Sequence, residues 1–547
     1  MNYFIKTFEN SIKECWDKPA LDDYKVSSLT YGELAAEIEA MHLVWKKAGL
    51  NRGDKISLNA GSCSNWAKVF MAATSGGYVA VQIFNGFTPA DTQKMVNHSD
   101  SRILYTEKST FAKMNFDEMP ALLAAIDMKS GELLASRGTF ADIYARSKEM
   151  FAEAYPDGLK KEDVCYPERS MDDLCCIMYT SGSTGTPKGV MLTVRNISSN
   201  VDLIPRYFPY RRGETYLSIL PFAHIFGLLY DMVGCLSIGM HLTILCHPPI
   251  PKLFKEALCE INPTVIMMVP LVLNKMMEFT IGEFVHSKTG GGKLAEYKEN
   301  PDFCEALRMI FMAATGKNCE LVVTGGAALP SELEELLAIK LQVPLVTGYG
   351  MTECAPTITL GHLGKYKLKS TGEPVDCMHV RINSTDPEHI AGEVLIKGDN
   401  VFAGYYKNPD ADKQVFTDDG WFRSGDLGMM DKDGTVFLVG RCKSMLLSTN
   451  GQNVFPEEIE VILNPMPYVS ESLIVQRENK LVAIIVPNSD ALANDNINRE
   501  GLEKIMAGNI EKLNSEIPAY EAISEYELHF EPFAKTPKGS IKRFLYA

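Results

Sequence analysis

A stretch rich in hydroxyl groups and glycine, Tyr179–Thr193, has the composition of a loop that binds phosphate. Small residues let backbone N–H groups crowd round an anion, while hydroxyls and an ammonium group donate to its oxygens. Lys188 is followed by Gly189 instead of Ser or Thr, so the stretch does not match the Walker A pattern. A flexible linker is the alternative, but linkers rarely carry so ordered an alternation of residues. The candidate phosphate ligands are Thr180, Ser181, Gly182, Ser183, Thr184, Gly185 and Lys188.

Two further motifs offer groups that a bound nucleotide needs. Tyr349 could supply a stacking plane for adenine, and Glu353 could supply a carboxylate oxygen to the Mg²⁺ of a triphosphate. Gly325–Ala328 has no side chain large enough to block a flat ring, so it could line the other face of the adenine. Taken alone, Tyr349–Glu353 could be a turn with a surface glutamate, and Gly325–Ala328 could be an ordinary strand-to-turn junction.

An aspartate and an arginine in the last third of the chain could hold a ribose. Asp426 ends the sequence GWFRSGD, where a carboxylate could accept hydrogen bonds from both ribose hydroxyls. Arg441 follows a short apolar segment, and its forked guanidinium suits phosphate or ribose oxygens. Because aspartates are frequent in turns, a purely structural turn is the alternative for Asp426.

The elements that must position these groups alternate in type along most of the chain. Helical patterns and short apolar strands follow one another, which predicts parallel sheets covered on both faces. The GGAA motif (residues 325–328) and the TGYGMTE motif (residues 347–353) each follow an apolar segment. Both are therefore expected at strand ends, where ligand crevices form in open parallel sheets. From Thr371 short strands with Gly, Asn and Asp turns predict a small β-rich unit, and after Arg441 helix and strand alternate again.

The predicted fold class is α/β, with a large N-terminal domain and a smaller, mobile α+β C-terminal lid domain. At 547 residues the chain is too long for one hydrophobic core, which is why several units are expected. The N-terminal domain is expected to span residues 1–440 and to contain α/β subdomains at about 1–175 and 176–370 and a β subdomain at 371–440. The lid is expected to span residues 441–547.

Composition and charge exclude several classes of function. The net charge of −15 argues against a nucleic-acid binder, because neutralising phosphates requires clustered Lys and Arg. Thirteen cysteines without metal-site spacing suit buried thiols in a reducing cytosol, and no signal peptide is expected, so a cytoplasmic location is predicted. The apolar stretch Tyr216–Leu245 is interrupted by Pro221, His224, Asp231 and His241, so we predict a core helix and strand there and no transmembrane segment.

Together the motifs resemble, in content and in order, those of the adenylate-forming superfamily: acyl-CoA synthetases, the adenylation domains of peptide synthetases, and luciferases. The resemblance covers roughly Thr30 to Arg543. It implies that a carboxylate attacks the α-phosphate of ATP, which releases pyrophosphate and leaves an acyl-adenylate. A second nucleophile, usually the thiol of coenzyme A, then takes the acyl group. ATP, Mg²⁺ and coenzyme A are therefore expected, with a small-molecule carboxylate as the further partner.

The resemblance also implies roles for individual residues. Thr180–Lys188 would grip the β- and γ-phosphates, Thr352 would touch the α-phosphate, and Glu353 would bind Mg²⁺. Because two anions meet when a carboxylate attacks a phosphate, metal, lysine and backbone donors must neutralise the charge that develops. The residues implied for adenine and ribose are Gly326, Ala327, Ala328, Tyr349, Asp426 and Arg441.

Two regions predict the class of acid that is activated. Asn450–Glu460, NGQNVFPEEIE, resembles the long-chain acyl-CoA synthetase form of the C-terminal motif. Members that activate amino acids usually carry an Asp in the region corresponding to Phe222–Phe226, and this chain has no acidic residue there, so a neutral acyl tail is expected. Phe222 and His224 are the candidate acyl-pocket residues, although aromatic residues at strand spacing are equally consistent with plain core.

Two positions depart from the superfamily pattern. The lysine that bridges the carboxylate and the α-phosphate in relatives is replaced here by Ser540, in TPKGSIKR. Serine cannot supply that charge, so we predict that Lys538, which could share a strand face with Ser540, or else Lys542, takes over as the catalytic lysine. The hinge position, usually Asp, Glu or Lys, is Ser444, and a hinge needs only to absorb backbone change.

These departures leave three functional hypotheses open. The first is an active fatty acid–CoA ligase for long- or medium-chain acids. The second is an acyl-AMP ligase that hands its product to an acyl carrier protein, and the third is a weakly catalytic or non-catalytic relative that binds nucleotide or acyl-adenylate. The intact ATP motifs favour turnover, whereas Ser540 favours the alternatives.

Overall fold

The computed structural model describes residues 3–180, 187–282, 284–285, 300–447, 453–477, 480–536 and 541–546. Part of the predicted phosphate loop lies outside the described residues, namely Ser181, Gly182, Ser183, Thr184 and Gly185. The same holds for Asn450, Gly451 and Gln452 of the C-terminal motif and for Lys538 and Ser540 of the lid motif.

Residues 3–207 alternate strands and helices, as the sequence predicts. The strands are β1 (Pro19–Asp23), β2 (Ser27–Thr30), β3 (Lys55–Asn59), β4 (Val79–Gln82), β5 (Ser101–Thr106), β6 (Ala124–Asp127), β7 (Leu133–Ser136), β8 (Leu174–Thr180) and β9 (Lys188–Thr193). The helices are α1 (Phe4–Glu14), α2 (Tyr31–Lys47), α3 (Ser64–Ser75), α4 (Pro89–His98), α5 (Lys108–Phe111), α6 (Phe140–Ala145), α7 (Ser147–Ala154) and α8 (Val194–Tyr207), with a 3₁₀ helix at Phe116–Glu118. Local sequence explains where helices begin: Thr30 and Glu33 form a capping box at the start of α2.

Strands β3 to β9 form one sheet, in the order β7-β6-β5-β3-β4-β8-β9. The five inner strands run parallel, while β7 and β9 run antiparallel to their neighbours at the two edges. Both faces are covered, because Cys176 and Met178 of β8 join one hydrophobic cluster while Ile177 and Tyr179 join another. This explains the uninterrupted apolar run of β8. Strand pairing therefore continues past residue 175, where the sequence suggests a subdomain boundary.

Residues 208–374 add a second series of alternating elements. The strands are β10 (Thr215–Ser218), β11 (His241–Ile244), β12 (Val265–Met268), β13 (Leu321–Gly325), β14 (Leu345–Gly350), β15 (Thr357–Leu360) and β16 (Glu373–Pro374). The helices are α9 (Cys235–Ile238), α10 (Pro251–Ile261), α11 (Pro270–Met277), α12 (Pro301–Thr315) and α13 (Ser331–Glu334), with π-helical turns at Gly227–Gly234, Glu278–Gly282 and Glu335–Lys340 and a 3₁₀ helix at Thr352–Cys354. Among the described residues, no helix has both the length and the apolar character that a bilayer span requires.

Two sheets are built from these strands. One has the order β10-β11-β1-β2, and the other contains β12 to β16 in chain order, with its first three strands parallel. Gly325 lies opposite Gly348, so the carboxyl ends of β13 and β14 are side by side. The GGAA and TGYGMTE motifs therefore lie at one edge of the same sheet, where open parallel sheets form ligand crevices.

An antiparallel sheet follows, and the chain that connects its strands returns to the phosphate loop. The sheet contains β17 (Met378–Asn383), β18 (Gly392–Gly398), β19 (Phe422–Met430) and β20 (Val436–Arg441), and helix α14 (Pro409–Val415) begins at the capping residue Asn408. Just before α14, Met191 N donates to Gly404 O and Tyr406 N donates to Gly189 O. These bonds attach the β-rich unit to β9, the second strand of the predicted phosphate loop.

The C-terminal part has a hydrophobic core of its own. Its strands are β21 (Leu446–Leu447), β22 (Asn453–Val454), β23 (Val469–Arg477), β24 (Lys480–Pro487) and β25 (Glu525–Leu528). Its helices are α15 (Pro456–Leu463), α16 (Ser489–Asn494) and α17 (Arg499–Glu516), with 3₁₀ helices at Ala519–Glu521 and Arg543–Leu545. One cluster, drawn wholly from this part, packs α15 and α17 against the sheet, and a second includes Leu473 and Phe533. The predicted α/β fold, with a smaller α+β C-terminal domain, is confirmed; the residue bounds and the mobility of the lid stay predictions.

Candidate active site

The two described ends of the predicted phosphate loop lie side by side. Thr180, the last residue of β8, is paired with Lys188, the first residue of β9. The strand pair requires a glycine after that lysine, because a Cβ at Gly189 would lie 2.9 Å from Ile177 Cγ2. The Lys188 ammonium is 4.7 Å from the centroid of the Tyr405 ring, a cation–π distance. A cation therefore stands at the closing end of the loop.

Glu353, the predicted metal ligand, is held at both its backbone and its carboxylate. It lies in the 3₁₀ helix that follows β14, next to the buried Thr352. Its Oε1 accepts a hydrogen bond from the Tyr405 hydroxyl at 2.9 Å, and its carbonyl oxygen accepts one from Phe402 N at 2.8 Å. Two contacts from the segment before α14 thus hold Glu353, one at its carboxylate and one at its backbone.

The donor set around Glu353 suits Mg²⁺. In the described part of the chain no hydrogen bond or ion pair involves Oε2 of Glu353, and no group of three or more His, Cys, Asp and Glu forms a metal cage. Mg²⁺ usually keeps several waters and is held by one or two carboxylates together with substrate phosphates. One oriented carboxylate near a phosphate-loop lysine fits an ion that arrives with ATP.

The predicted ribose residues are in direct contact. Arg441 Nε lies 3.0 Å from Asp426 Oδ1, and the Tyr349 hydroxyl donates to Asp426 Oδ2 at 2.5 Å. Asp426 is buried, and its backbone N–H donates to Ser424 Oγ at 3.0 Å. Burial raises the pKa of the Asp426 carboxyl, although Arg441 and the Tyr349 hydroxyl act in the opposite direction. An anchored acceptor of this kind could bind vicinal hydroxyls.

The predicted adenine residues differ in their exposure. Gly326, Ala327 and Ala328 follow β13 and are exposed, and Gly326 has a φ of +83°, a conformation that favours glycine. Tyr349 is only 8% exposed because its ring is enclosed and its hydroxyl is bound to Asp426. The structure thus places an open, small-residue surface beside a fixed tyrosine, and their contact with adenine stays a prediction.

The two candidate acyl-pocket residues have different surroundings. Phe222 is fully buried, with its ring 5.6 Å from that of Trp66, and its backbone N–H donates to Ser62 Oγ. His224 is half-buried, and its Nδ1 accepts a hydrogen bond from Phe226 N at 3.3 Å. Phe222 belongs to the hydrophobic core of this region, and a role for either residue in binding an acyl chain stays a prediction.

A buried carboxylate, Asp231, supports the segment that carries these residues. Its Oδ1 accepts from the Tyr216 hydroxyl at 2.8 Å, and its Oδ2 accepts from Ser218 Oγ at 2.9 Å and from Leu220 N at 3.2 Å. Burial raises the pKa of Asp231 to about 7, and these hydrogen bonds oppose the shift. Asp231 thereby ties β10 to the start of the segment that contains Phe222.

Asp231→Asn is expected to change the pH dependence of stability. The folded state holds the Asp231 proton up to about pH 7, whereas the unfolded chain releases it above about 3.8, so the wild type loses roughly 1.4 kcal/mol per pH unit between those values. Asparagine does not titrate. The excess of the wild-type thermal midpoint over that of Asp231→Asn should therefore shrink from about pH 5.5 to about pH 8. The exposed Asp157→Asn is the control, and a constant difference would contradict the prediction.

The lid residues can be placed only in part. Lys542 is half-buried, and its backbone N–H donates to Ala534 O at 2.8 Å, next to the bridge between Lys535 and Ile541. Ser444 is half-buried, and its N–H donates to Arg441 O at 3.1 Å. Lys538 and Ser540 lie outside the described residues, so the choice of catalytic lysine stays a prediction.

Sequence reasoning missed Tyr405 as a site residue. Its hydroxyl donates to Glu353 and its ring faces Lys188, although Tyr405 is far from both residues in the sequence. The only signal was its position in the sequence GYY before a proline, which does not by itself distinguish a site residue from a core aromatic. Asp231 carried a clearer signal, because a charged residue inside an apolar run requires buried partners.

The chain is similar in sequence to curated ligases and in fold to a solved structure. It is 27% identical over 487 residues to the long-chain-fatty-acid–CoA ligase FadD15 of Mycobacterium bovis. That alignment covers 84% of this chain and 77% of the relative. It is also 27% identical over 552 residues to long-chain-fatty-acid–CoA ligase 1 of Saccharomyces cerevisiae. That alignment covers 88% of this chain and 74% of the relative. The crystal structure of the anthranilate CoA ligase AuaEII in complex with anthranoyl-AMP superposes with a TM-score of 0.80 at 18% identity, over 100% of this chain and 96% of that one.

Two family models match the chain in succession. The model described as AMP-binding enzyme matches residues 8–406, and the model described as AMP-binding enzyme C-terminal domain matches residues 443–546. These ranges contain the phosphate-loop, adenine and metal motifs in the first match and the lid motif in the second. Because the first match alone covers well over half of the chain, the protein belongs to the AMP-binding enzyme family, which confirms the resemblance seen in its motifs.

Proposed function

We propose that the protein is a fatty acid–CoA ligase. It uses ATP and Mg²⁺ to convert a long- or medium-chain carboxylate into an acyl-adenylate and pyrophosphate, and then transfers the acyl group to the thiol of coenzyme A. The observation that carries this proposal is the similarity, over 84% and 88% of the chain, to two ligases named for long-chain fatty acids. The contacts of two tyrosines agree with the chemistry, because Tyr405 contacts both Lys188 and Glu353, and Tyr349 of β14 contacts Asp426.

In the first step the chain must offset negative charge and orient both reactants. Lys188 and the loop that it closes offset the charge of the β- and γ-phosphates, and Thr352 contacts the α-phosphate. Glu353 holds Mg²⁺, which supplies charge neutralisation between the phosphates and the incoming carboxylate. Asp426 and Arg441 orient the ribose, so the α-phosphate is presented in a reactive position.

In the second step the acyl-adenylate must be protected from water, because it is an activated mixed anhydride. We assign this task to residues 441–547 as a lid that turns about Ser444 against residues 1–440. His224, half-buried beyond β10, is better placed than the enclosed Phe222 to meet the acyl chain. Thirteen cysteines without metal-site spacing and without a disulfide support a cytoplasmic location.

A second candidate function is favoured by one specific residue. Ser540 stands where relatives carry the lysine that bridges the carboxylate and the α-phosphate. If no other lysine takes that place, adenylation is slow, and the protein serves as an acyl-AMP ligase that supplies a carrier protein or as a binder of nucleotide or acyl-adenylate. The acceptor in that case is a carrier-protein thiol or none.

The proposal is tested by pyrophosphate release from ATP and Mg²⁺ across a panel of carboxylates. The panel contains short, medium and long fatty acids and aromatic acids such as anthranilate, each with and without coenzyme A. We expect release that requires a medium or long acyl chain and that rises with coenzyme A, because the thiol removes the bound adenylate. Acyl-CoA is detected in parallel by mass spectrometry.

Other outcomes distinguish the candidates. Release that is indifferent to coenzyme A but increases with a carrier-protein thiol would favour the acyl-AMP ligase. Release that is restricted to aromatic acids would contradict the fatty acid assignment while keeping the reaction class. No release with any acid would contradict the ligase and leave the nucleotide-binding relative.

A further inference from the structure

One side chain, Tyr405, contacts both of the charged groups proposed to handle ATP. Its hydroxyl donates to Glu353 Oε1 at 2.9 Å, and Lys188 Nζ lies 4.7 Å from its ring centroid. The carboxylate and the ammonium thus meet the same side chain at two places, the hydroxyl and the ring face. Lys188 and Glu353, both within the described residues, do not form an ion pair with each other.

The backbone at Tyr405 is anchored on both sides. Tyr405 forms a bridge with Val190 of β9, and its N–H donates to Asp412 Oδ1 of α14 at 2.8 Å. The preceding Gly404 has a φ of +127°, and a Cβ there would lie 2.8 Å from Asp412 Oδ2. The chain therefore presents Tyr405 in one conformation, fixed by the phosphate-loop strand and by the following helix.

The Tyr405 ring is fixed by packing. It meets the Phe402 ring edge-on, with the two ring centroids 4.9 Å apart. The Phe402 ring packs in turn on Phe416 and Phe422. Tyr405 is only 6% exposed. Because Phe402 also donates its N–H to Glu353 O, the same aromatic cluster supports both the tyrosine and its acidic partner.

The hydroxyl acts as a donor to Glu353. A tyrosine phenol carries its proton at neutral pH and a carboxylate can only accept, so Tyr405 is the donor in this hydrogen bond. A proton donated to Oε1 is a charge-assisted hydrogen bond, which is stronger than one between neutral groups. Within the described residues, Oε1 is the oxygen of the Glu353 carboxylate that accepts a hydrogen bond.

We propose that Tyr405 is a positioning residue that holds Glu353 and Lys188 in separate places, so that the carboxylate is kept for Mg²⁺ and the ammonium for the phosphates of ATP. This inference rests on the proposed function. Opposite charges that contact one side chain attract each other, and an ion pair between Lys188 and Glu353 would have to break before either bound its ligand. The ring face attracts the cation and the hydroxyl holds the anion, so Tyr405 satisfies both without letting them meet.

The test measures ATP binding by isothermal titration calorimetry, once with Mg²⁺ and once with EDTA. Tyr405→Phe keeps the ring and loses the hydroxyl, so the gain in ATP affinity that Mg²⁺ provides should fall by about tenfold or more, while affinity in EDTA stays unchanged. Tyr405→Leu also loses the ring, so ATP affinity in EDTA should fall as well. Pyrophosphate release at limiting Mg²⁺ is the parallel measurement of activity.

Two further variants make the result specific. Tyr24→Phe removes a hydroxyl from another tyrosine–glutamate hydrogen bond, Tyr24 to Glu260 Oε2 at 2.6 Å, away from the site, and should bind ATP as the wild type does. In a Glu353→Gln background, Tyr405→Phe should add little to the loss of the Mg²⁺ effect, because residues that act through one contact are not additive.

The outcomes separate this inference from the proposed function. If the wild type binds ATP with a Mg²⁺ effect and Tyr405→Phe keeps that effect in full, the inference is overturned while the proposed function stands. Additive losses for Tyr405→Phe and Glu353→Gln would also overturn it, because Tyr405 would then act without Glu353. A wild type that binds no ATP overturns both.

Discussion

Glu353→Gln is expected to lower the rate of pyrophosphate release by about 10²–10³-fold at limiting Mg²⁺. The amide keeps the size of the carboxylate and can still accept a hydrogen bond from Tyr405, so the loss is confined to the negative charge that binds the metal. The measurement is the initial rate of release, dependent on ATP and acid, over a titration of Mg²⁺. Partial recovery at high Mg²⁺ is expected, because mass action fills a weakened site.

The control for this prediction is Glu149→Gln, which makes the same chemical change on the exposed face of α7, where Glu149 pairs with Arg146. Its rate should match that of the wild type at every concentration of Mg²⁺, since exposed ion pairs contribute little. Equal rates for Glu353→Gln and the wild type at low Mg²⁺ would exclude Glu353 as the metal ligand. Unchanged nucleotide affinity in EDTA for Glu353→Gln would confirm that the loss concerns the metal.

Elements whose signal is local could be predicted from the sequence. The apolar run before Thr180, LCCIMY, is typical of a buried strand, and the structure pairs it with β9 so that the glycine-rich stretch joins two strands. The GGAA and TGYGMTE motifs were expected at strand ends, and pairing of Gly325 with Gly348 places them together. Each of these inferences required only periodicity and glycine, which report on a few neighbouring residues.

Contacts between distant segments could not be predicted in the same way. Tyr405 is 52 residues from Glu353 in sequence, and the segment that carries it reaches β9 through backbone hydrogen bonds to Gly189 and Met191. Backbone pairing of this kind leaves little trace in residue type, since every residue except proline can donate its N–H. For the same reason, nothing in the residue types of β8 and β9 indicates that both strands join the seven-stranded sheet, which extends beyond residue 175.

Phe222 illustrates a different limit of sequence reasoning. An aromatic residue in the sequence PFAHIFG could line an acyl tunnel or fill a core, and residue type alone does not decide between them. The structure encloses Phe222 against Trp66, and the buried Asp231 fixes the same segment through Leu220 N. The segment is therefore held at its start, and a role for the more exposed His224 in binding an acyl chain stays a prediction.

Lys538→Ala is expected to lower adenylation by about 10²–10³-fold, because we predict that Lys538 supplies the cation that bridges the carboxylate and the α-phosphate in the transition state. Lys538 is two residues before Ser540 in the sequence, and residues at that spacing share a face wherever a chain is extended, whereas the backbone of Lys542 is bound to Ala534 O. The measurement is acid-dependent exchange of pyrophosphate into ATP, which reports adenylation without the thiol step.

Ser540→Lys in the Lys538→Ala background distinguishes a relocated charge from a general effect on the lid. If a cation near the α-phosphate is what the reaction lacks, lysine at position 540 should restore most of the exchange rate. Lys512→Ala, on the exposed face of α17 where Lys512 pairs with Glu516, is the control and should leave exchange unchanged. Full activity of Lys538→Ala together with collapse of Lys542→Ala would assign the charge to Lys542 instead. Since both lysines flank the same serine, either result would mean that the chain keeps the bridging cation while changing the residue that supplies it.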